Sequence, residues 1–195
     1  MRVGEYCGKS AVITGAASGM GLCASRKLCV AGATVVMCDV NEAALSAAVA
    51  EINGLGGGRA IPCVSDVRRF DDAQAAARAA LEATGRIDLL VTFAGGYEPR
   101  MCNSFRPFYE QPQEVLDWGM DTNLKGALYL SRACMPHMVK AKSGVIVTLG
   151  SVTGFEGDEN STYGVTKGGN GRLAQSLAKV GAKFGIRAFC VAPGP

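Results

Sequence analysis

Several features are scarce or missing in this sequence, and each absence removes a class of function. Histidine occurs once, as His137 in Met135-Pro136-His137-Met138. No cluster of metal-ligating residues surrounds it, so no metal site is expected and His137 reads as structural or exposed. The eight cysteines (Cys7, Cys23, Cys29, Cys38, Cys63, Cys102, Cys134, Cys190) are scattered singly, without a C-x-x-C pair, and read mostly as small apolar fillers. The formal charge of +3 has no focus in a basic run or an aromatic-interleaved stripe, which argues against a nucleic-acid partner. No apolar run approaches the roughly 20 residues that span a bilayer, so no membrane association is expected. Met1 to Gly8 lacks the long apolar stretch of a secretory leader, and a soluble, cytoplasmic protein with reduced thiols is expected.

What is present is a globular composition, 48% hydrophobic and 19% charged over 195 residues, enough for one domain with a sizeable core. No internal repeat or low-complexity linker divides it. Short β-branched runs alternate with longer Ala-rich or amphipathic stretches, the pattern of repeated βαβ units. Strands are predicted near Ala11 to Thr14, Thr34 to Cys38, Ala60 to Val64, Leu89 to Phe93, Val145 to Leu149 and Ile186 to Val191. Helices are predicted near Gly19 to Val30, Glu42 to Asn53, Phe70 to Ala83, Thr122 to Lys140 and Tyr163 to Lys183. The fold class is α/β, a doubly wound parallel sheet with helices on both faces. Gly95 to Pro112, with three prolines and four aromatics, reads as an irregular excursion after the fourth strand. It either borders a substrate pocket or packs as a surface connection.

Thr14-Gly15-Ala16-Ala17-Ser18-Gly19-Met20-Gly21 directly follows the first strand and opens the first helix, the context that gives a glycine pattern its meaning. Gly15 allows a sharp turn, Gly19 a close backbone approach to a pyrophosphate, and Gly21 tight packing of the helix. The N–H groups and dipole of the helix start favour phosphate charge. Asp39, just after the second strand, can accept hydrogen bonds from both ribose hydroxyls of an adenosine and would repel a 2'-phosphate. Ser18, Val40 and Asn41 bring no compensating cation, so NAD(H) is favoured over NADP(H).

The TGAASGMG spacing, with three residues between its first two glycines, resembles the short-chain dehydrogenase/reductase family, and the likeness runs over essentially the whole chain. The resemblance implies a Rossmann-type fold whose cofactor loop comprises Thr14, Gly15, Ser18, Gly19, Met20 and Gly21. It also implies adenine contacts from Asp66 and Val67, and places Ala94-Gly95 at the end of the family's Asn-Asn-Ala-Gly motif, where Thr92 and Phe93 replace the usual Asn residues. Pro193-Gly194 is similar to the family's turn beside the nicotinamide.

Tyr163-Gly164-Val165-Thr166-Lys167 resembles the family's Tyr-x-x-x-Lys motif, with Ser151 before it at the end of the fifth strand. Residues four apart lie roughly 40° apart around a helix, so Tyr163 and Lys167 share a face. A neighbouring ammonium favours the phenolate, which suits the pair to moving a proton to or from an alcohol oxygen. Ser151 would hydrogen-bond the substrate oxygen, and Lys167 would also hold the nicotinamide ribose, as the resemblance implies. Asn123 matches the family's Asn on the preceding long helix and supports a water-linked proton path to the Lys. Asn170 and Gly171 are weak helix formers inside the last helix, with no function read for them.

The expected activity is interconversion of a small alcohol and its ketone, with a 3-oxoacyl or polyol type of substrate by family analogy. A cofactor-binding regulatory protein without turnover is the alternative; its mark, a lost Tyr or Lys, is not seen. A homodimer or homotetramer is expected through the helices beginning near Thr122 and Tyr163, with Ala127, Ala133, Ala174 and Ala178 suited to close packing. Family members usually continue past the point where this sequence stops, Pro195, into a substrate-covering segment and a seventh strand. Six strands of a usual seven are expected here, as part of a longer natural chain, with Ile186 to Val191 an apolar strand left at an edge.

Overall fold

The computed structural model describes residues 4–157 and 162–194; Met1, Arg2, Val3 and Pro195 lie outside the described residues. Six strands form one sheet: β1 (Ser10–Thr14), β2 (Thr34–Asp39), β3 (Arg59–Val64), β4 (Leu89–Thr92), β5 (Gly144–Leu149) and β6 (Ile186–Val191). All pairings are parallel, in the order β3-β2-β1-β4-β5-β6. The order reverses between β1 and β4. A crevice therefore opens at the carboxyl ends of those two strands, where ligands bind in folds of this kind.

Successive strand residues point to opposite faces, and both faces are covered, so the central strands are apolar without interruption. Val12, Val36, Leu90 and Ile146 belong to one core layer, Ile13, Val35, Met37 and Val91 to the other. The second layer is closed by α1 (Gly19–Val30) and α2 (Glu42–Gly54). Leu45, Ala48, Val49 and Ile52 are the buried residues of α2, spaced as one stripe of a helix. Asn41 caps this helix, its side chain accepting the Ala44 N–H at 3.1 Å, as an N-cap Asn should. On the first layer, α3 (Phe70–Thr84) buries Ala73, Ala76, Ala77 and Ala80 with the same spacing. These small side chains pack with Leu130, Ala133, Cys134 and Met138 of α6 (Gly126–Ala141).

The edges obey chain chemistry. Pro62, which has no N–H to donate, sits in β3 at one edge, a position that tolerates it. β6 forms the other edge with Phe189 and Val191 half exposed, the apolar edge strand expected from the sequence.

Two segments depart from expectation. The stretch after β4 is partly ordered into a short helix α4 (Glu98–Met101) and a 3₁₀ turn at Phe108–Glu110. The long helix expected from Thr122 starts earlier, as α5 (Gln113–Gly119), passes through a π-helical turn at Met120–Lys125, and continues as α6 (Gly126–Ala141). Pro112, extended at φ −58° and ψ 142°, presets the entry to α5. Gly119 and the charged Asp117 and Asp121 interrupt the apolar period that would have revealed this first part. After β5 a single turn, α7 (Thr153–Glu156), precedes α8 (Tyr163–Gly181), which ends in a 3₁₀ turn at Ala182–Phe184.

Candidate active site

A cleft of about 400 Å³ opens at the β1/β4 switch point. Its lining brings together Gly15, Ser18, Gly19 and Met20 after β1, Asp39 after β2, Asp66 and Val67 after β3, and Ala94 and Gly95 after β4. Gly15 takes φ +64°, and a Cβ there would lie 2.9 Å from the Ala94 nitrogen. A Cβ on Gly21 would collide with the Gly15 carbonyl. Gly19, also at positive φ, has open space where its Cβ would be, so main chain is exposed to the cleft. Ser18 is the N-cap of α1, but its side chain makes no capping hydrogen bond, which leaves the N–H groups of the first turn open to an anion. Thr14 points across the switch: its hydroxyl accepts the Ala94 N–H at 3.1 Å.

The Asp39 carboxylate accepts the Ala17 N–H and the Asn41 N–H, both at 3.0 Å. It is thus fixed at the tip of β2 and tied to the glycine loop. The structure adds a cation that the residues around Asp39 do not supply. Arg68 lines the same cleft, where its Nε and Nη2 engage both Asp66 oxygens at 2.6 to 3.0 Å. The guanidinium holds the Asp66 carboxyl below its ordinary value. This lining fits a dinucleotide: bare main chain at a helix start for the pyrophosphate, a fixed carboxylate for a ribose, and an apolar wall including Val67 and Phe93 for a base.

The second group of residues meets where β4, β5 and α8 converge. Lys167 is 3% exposed, donates to the Leu149 carbonyl at 3.1 Å, and sits 5.4 Å from the Tyr163 ring centroid. Burial pushes its ammonium down to about 8, opposed by the nearby Cys190 and Glu98. Ser151 donates to the Thr153 hydroxyl and accepts the Thr153 N–H, both at 3.2 Å. Asn123, in the π-helical turn, accepts the Gly96 N–H at 2.8 Å and donates to the Gly96 carbonyl at 2.9 Å. Its side chain is thereby engaged in holding the loop after β4. A Cβ on Gly95 would strike that same amide. Pro193 accepts the Val152 N–H at 3.2 Å, and Gly194 packs near Val152, so this turn borders the Ser151 segment.

Three residues of this cluster are not marked by any local motif. Asn170 is 2% exposed and donates to the carbonyls of Asn123 and Leu149 at 2.9 and 3.0 Å, which explains a weak helix former inside α8. Glu98 is fully buried and accepts the Thr162 hydroxyl at 2.9 Å. Tyr97 packs edge-on against Tyr163, centroids 5.7 Å apart. Alternation and spacing reveal none of these pairings because each spans more than 20 residues of sequence. Of the two positions where the resemblance would put Asn, the Thr92 hydroxyl is buried without a hydrogen-bond partner among the described residues. Phe93 lines the cleft.

One expectation is corrected. Ala127, Ala133 and Ala174 were expected between subunits, but all are buried within the chain, at 4, 8 and 3% exposure. Ala133 packs in the core layer with α3 and the sheet, where a small residue permits close approach. The outward residues of α6 and α8 include Leu128, Val165 and Val180.

Comparison with known proteins agrees with this geometry. The family model described as short chain dehydrogenase matches residues 9–195. The chain is 36% identical over 200 residues to oxidoreductase UcpA of Salmonella typhimurium, covering 98% of this chain and 71% of that protein. It is 34% identical over 191 residues to 2-dehydro-3-deoxy-L-rhamnonate dehydrogenase (NAD(+)) of a Sphingomonas species, covering 97% and 73%. Among solved structures, a 3-oxoacyl-[acyl-carrier protein] reductase with bound NAD from Brucella melitensis superposes with a TM-score of 0.89 at 32% identity. That match covers 98% of this chain and 72% of the other. Fold, switch-point cleft and relatives converge, and the chain belongs to the short-chain dehydrogenase family of oxidoreductases.

Proposed function

We propose that the protein is an NAD(H)-dependent oxidoreductase interconverting a secondary alcohol and a ketone, with Tyr163 as general acid and base. The observation that carries this reading is the buried Lys167 ammonium beside the Tyr163 ring, 5.4 Å from its centroid. When bound, the dinucleotide supplies or accepts the hydride at the substrate carbon. Tyr163 exchanges the proton at the substrate oxygen. A free phenol titrates near 10, and the adjacent positive charge favours its phenolate. Ser151, steadied by Thr153, donates a hydrogen bond to the same oxygen and orients it. Lys167 would pass the proton onward through a water-linked path supported by Asn123.

Asp39 accepts from the adenosine ribose and repels a 2'-phosphate, and Arg68, held to Asp66 through its Nε and Nη2, is partly neutralised as a cation that could offset that repulsion. Thr14, Gly15, Ser18, Gly19, Met20 and Gly21 hold the pyrophosphate, and Asp66 and Val67 the adenine. Ala94, Gly95, Pro193 and Gly194 flank the nicotinamide end together with Tyr163 and Lys167. The NAD named for the Sphingomonas enzyme and the Brucella structure supports this cofactor choice, and their different substrates support an alcohol or ketone of the polyol or 3-oxoacyl type. Among the described residues no helix is long and apolar enough to cross a membrane, in keeping with a cytoplasmic enzyme. A homodimer or homotetramer would form through the outward apolar residues of α6 and α8.

The test is a screen of NADH oxidation against ketones and of NAD reduction against alcohols, with both reduced cofactors titrated. NADH should bind at least about tenfold tighter than NADPH, since a hydrogen bond to a charged group contributes about 1.5 to 3 kcal/mol. Equal or tighter NADPH binding would overturn the cofactor assignment. Tight NADH binding without turnover on any substrate would favour a regulatory role.

A further inference from the structure

Glu98 belongs to no motif, yet its carboxylate is fully buried beside the proposed chemistry. Oε1 accepts the Thr162 hydroxyl at 2.9 Å and lies 3.4 Å from the Asn123 Nδ2. Thr162 is the N-cap of α8 and directly precedes Tyr163. Asn123 sits in the π-helical turn. One carboxylate thus ties the loop after β4 to the two segments that carry Asn123 and Tyr163. The close approach is built in on both sides. Gly119 faces Glu98, and a Cβ there would collide with the carboxylate; the neighbouring Tyr97 ring stands edge-on to Tyr163 at 88°.

Burying a carboxylate is strongly unfavourable unless a positive charge and hydrogen bonds compensate. The cation buried in the same cluster is Lys167, and Glu98 acts to keep it protonated. Two other groups bear on the pair: Cys190 from β6 faces Lys167, and the Cys102 thiol after α4 is raised by burial and then by Glu98. Tyr163 flanks Lys167 on its own helix. Lys167 and Glu98 are thus buried in one cluster, where the carboxylate, after Cys190, favours the protonated ammonium.

We propose that Glu98 is a positioning residue of the reaction, clamping the start of the Tyr163 helix against Asn123 and supplying the counter-charge of the buried Lys167 ammonium. It rests on the reading of Tyr163 and Lys167 as the proton-moving pair. Its effect on the chemistry is indirect, because with Lys167 neutral the Tyr163 phenolate loses its electrostatic support.

The experiment follows the Lys167 titration by NMR of lysine-labelled protein, with the resonance assigned by its loss in Lys167→Met. Parent, Glu98→Gln and Glu98→Asp are compared without cofactor or substrate. Glu98→Gln should lower the Lys167 midpoint by about one pH unit, the effect of losing a nearby opposite charge. Glu98→Asp, which keeps the charge, should restore most of it. A folded Glu98→Gln protein with the parent midpoint overturns the proposal. Failure of both variants to fold also overturns it, since the role would then be purely structural. This readout needs no turnover, so it stands apart from the proposed reaction, which the Tyr163→Phe variant tests separately.

Discussion

On the β1–β2 side of the cleft the surface offered to a ligand is largely main chain, shaped by Gly15, Gly19 and Gly21 and fixed by one carboxylate, Asp39. On the β4–β5–α8 side it is built from buried polar side chains bonded across long sequence separations: Asn123 to Gly96, Asn170 to Leu149, Glu98 to Thr162. The first construction recognises charge and shape mainly through main-chain groups. The second places an ammonium near the pH at which it ionises. Substitutions on the first side should therefore act on cofactor affinity, and substitutions on the second on rate and its pH dependence.

The largest effect that would break this division is expected from Lys167→Met. Turnover should fall by about 100-fold or more, the scale of a lost acid–base partner, and the stability of the parent should rise with pH above about 8. The sign follows from the depressed midpoint. Lys167 titrates at about 8 in the fold against an ordinary 10.5, so the folded state binds fewer protons between those values. The burial penalty is full below about pH 8 and is relieved as pH rises toward the unfolded value. At pH 7 it amounts to about 3 kcal/mol, and urea titrations of the parent should show stability rising from about pH 8 upward. Parent stability that stays flat or falls over that range would count against the burial penalty. In the parent, turnover in ketone reduction should decline as pH rises through about 8, where the ammonium that supports Tyr163 is lost.

Gly21→Ala sharpens the other side. The new Cβ would meet the Gly15 carbonyl, and overpacking of this kind costs about 1 to 3 kcal/mol. NADH affinity should drop by about tenfold, with the rate at saturation less affected; an unchanged dissociation constant would show that the loop yields freely. Asp39→Asn should narrow the preference for NADH over NADPH by about tenfold, measured by fluorescence titration of both. The smallest effect is expected from Arg26→Ala. It removes an exposed ion pair with Glu51 remote from either site, and its stability change should stay within about 1 kcal/mol in the same urea titration.

The contrast between the two sides also explains what the sequence discloses. Tyr163 and Lys167, one turn of helix apart, gain meaning from the cofactor motif before them and the family resemblance, whereas Gly15 and Gly21 answer to local backbone geometry, so a short window singles them out. The parallel sheet is legible for the same reason, because strands covered on both faces must be apolar throughout. Glu98 and Asn170 acquire meaning only when segments far apart in sequence meet, and no periodicity announces that. Gly119, which reads as a helix breaker, is where a helix passes over a buried carboxylate. The alanines of α6 and α8 mislead differently: Ala127 and Ala174 suit a tight contact between subunits and one within the chain equally, and their burial resolves them to the second.

The most direct test of the account reads binding and turnover on the same samples of parent and Tyr163→Phe, by NADH fluorescence and by NADH oxidation with an active ketone. Both proteins should bind NADH with the same affinity, while the Phe variant turns over about 100- to 10,000-fold more slowly. A Tyr163→Phe protein oxidising NADH at the parent rate would contradict the account, as would a parent that binds no NADH.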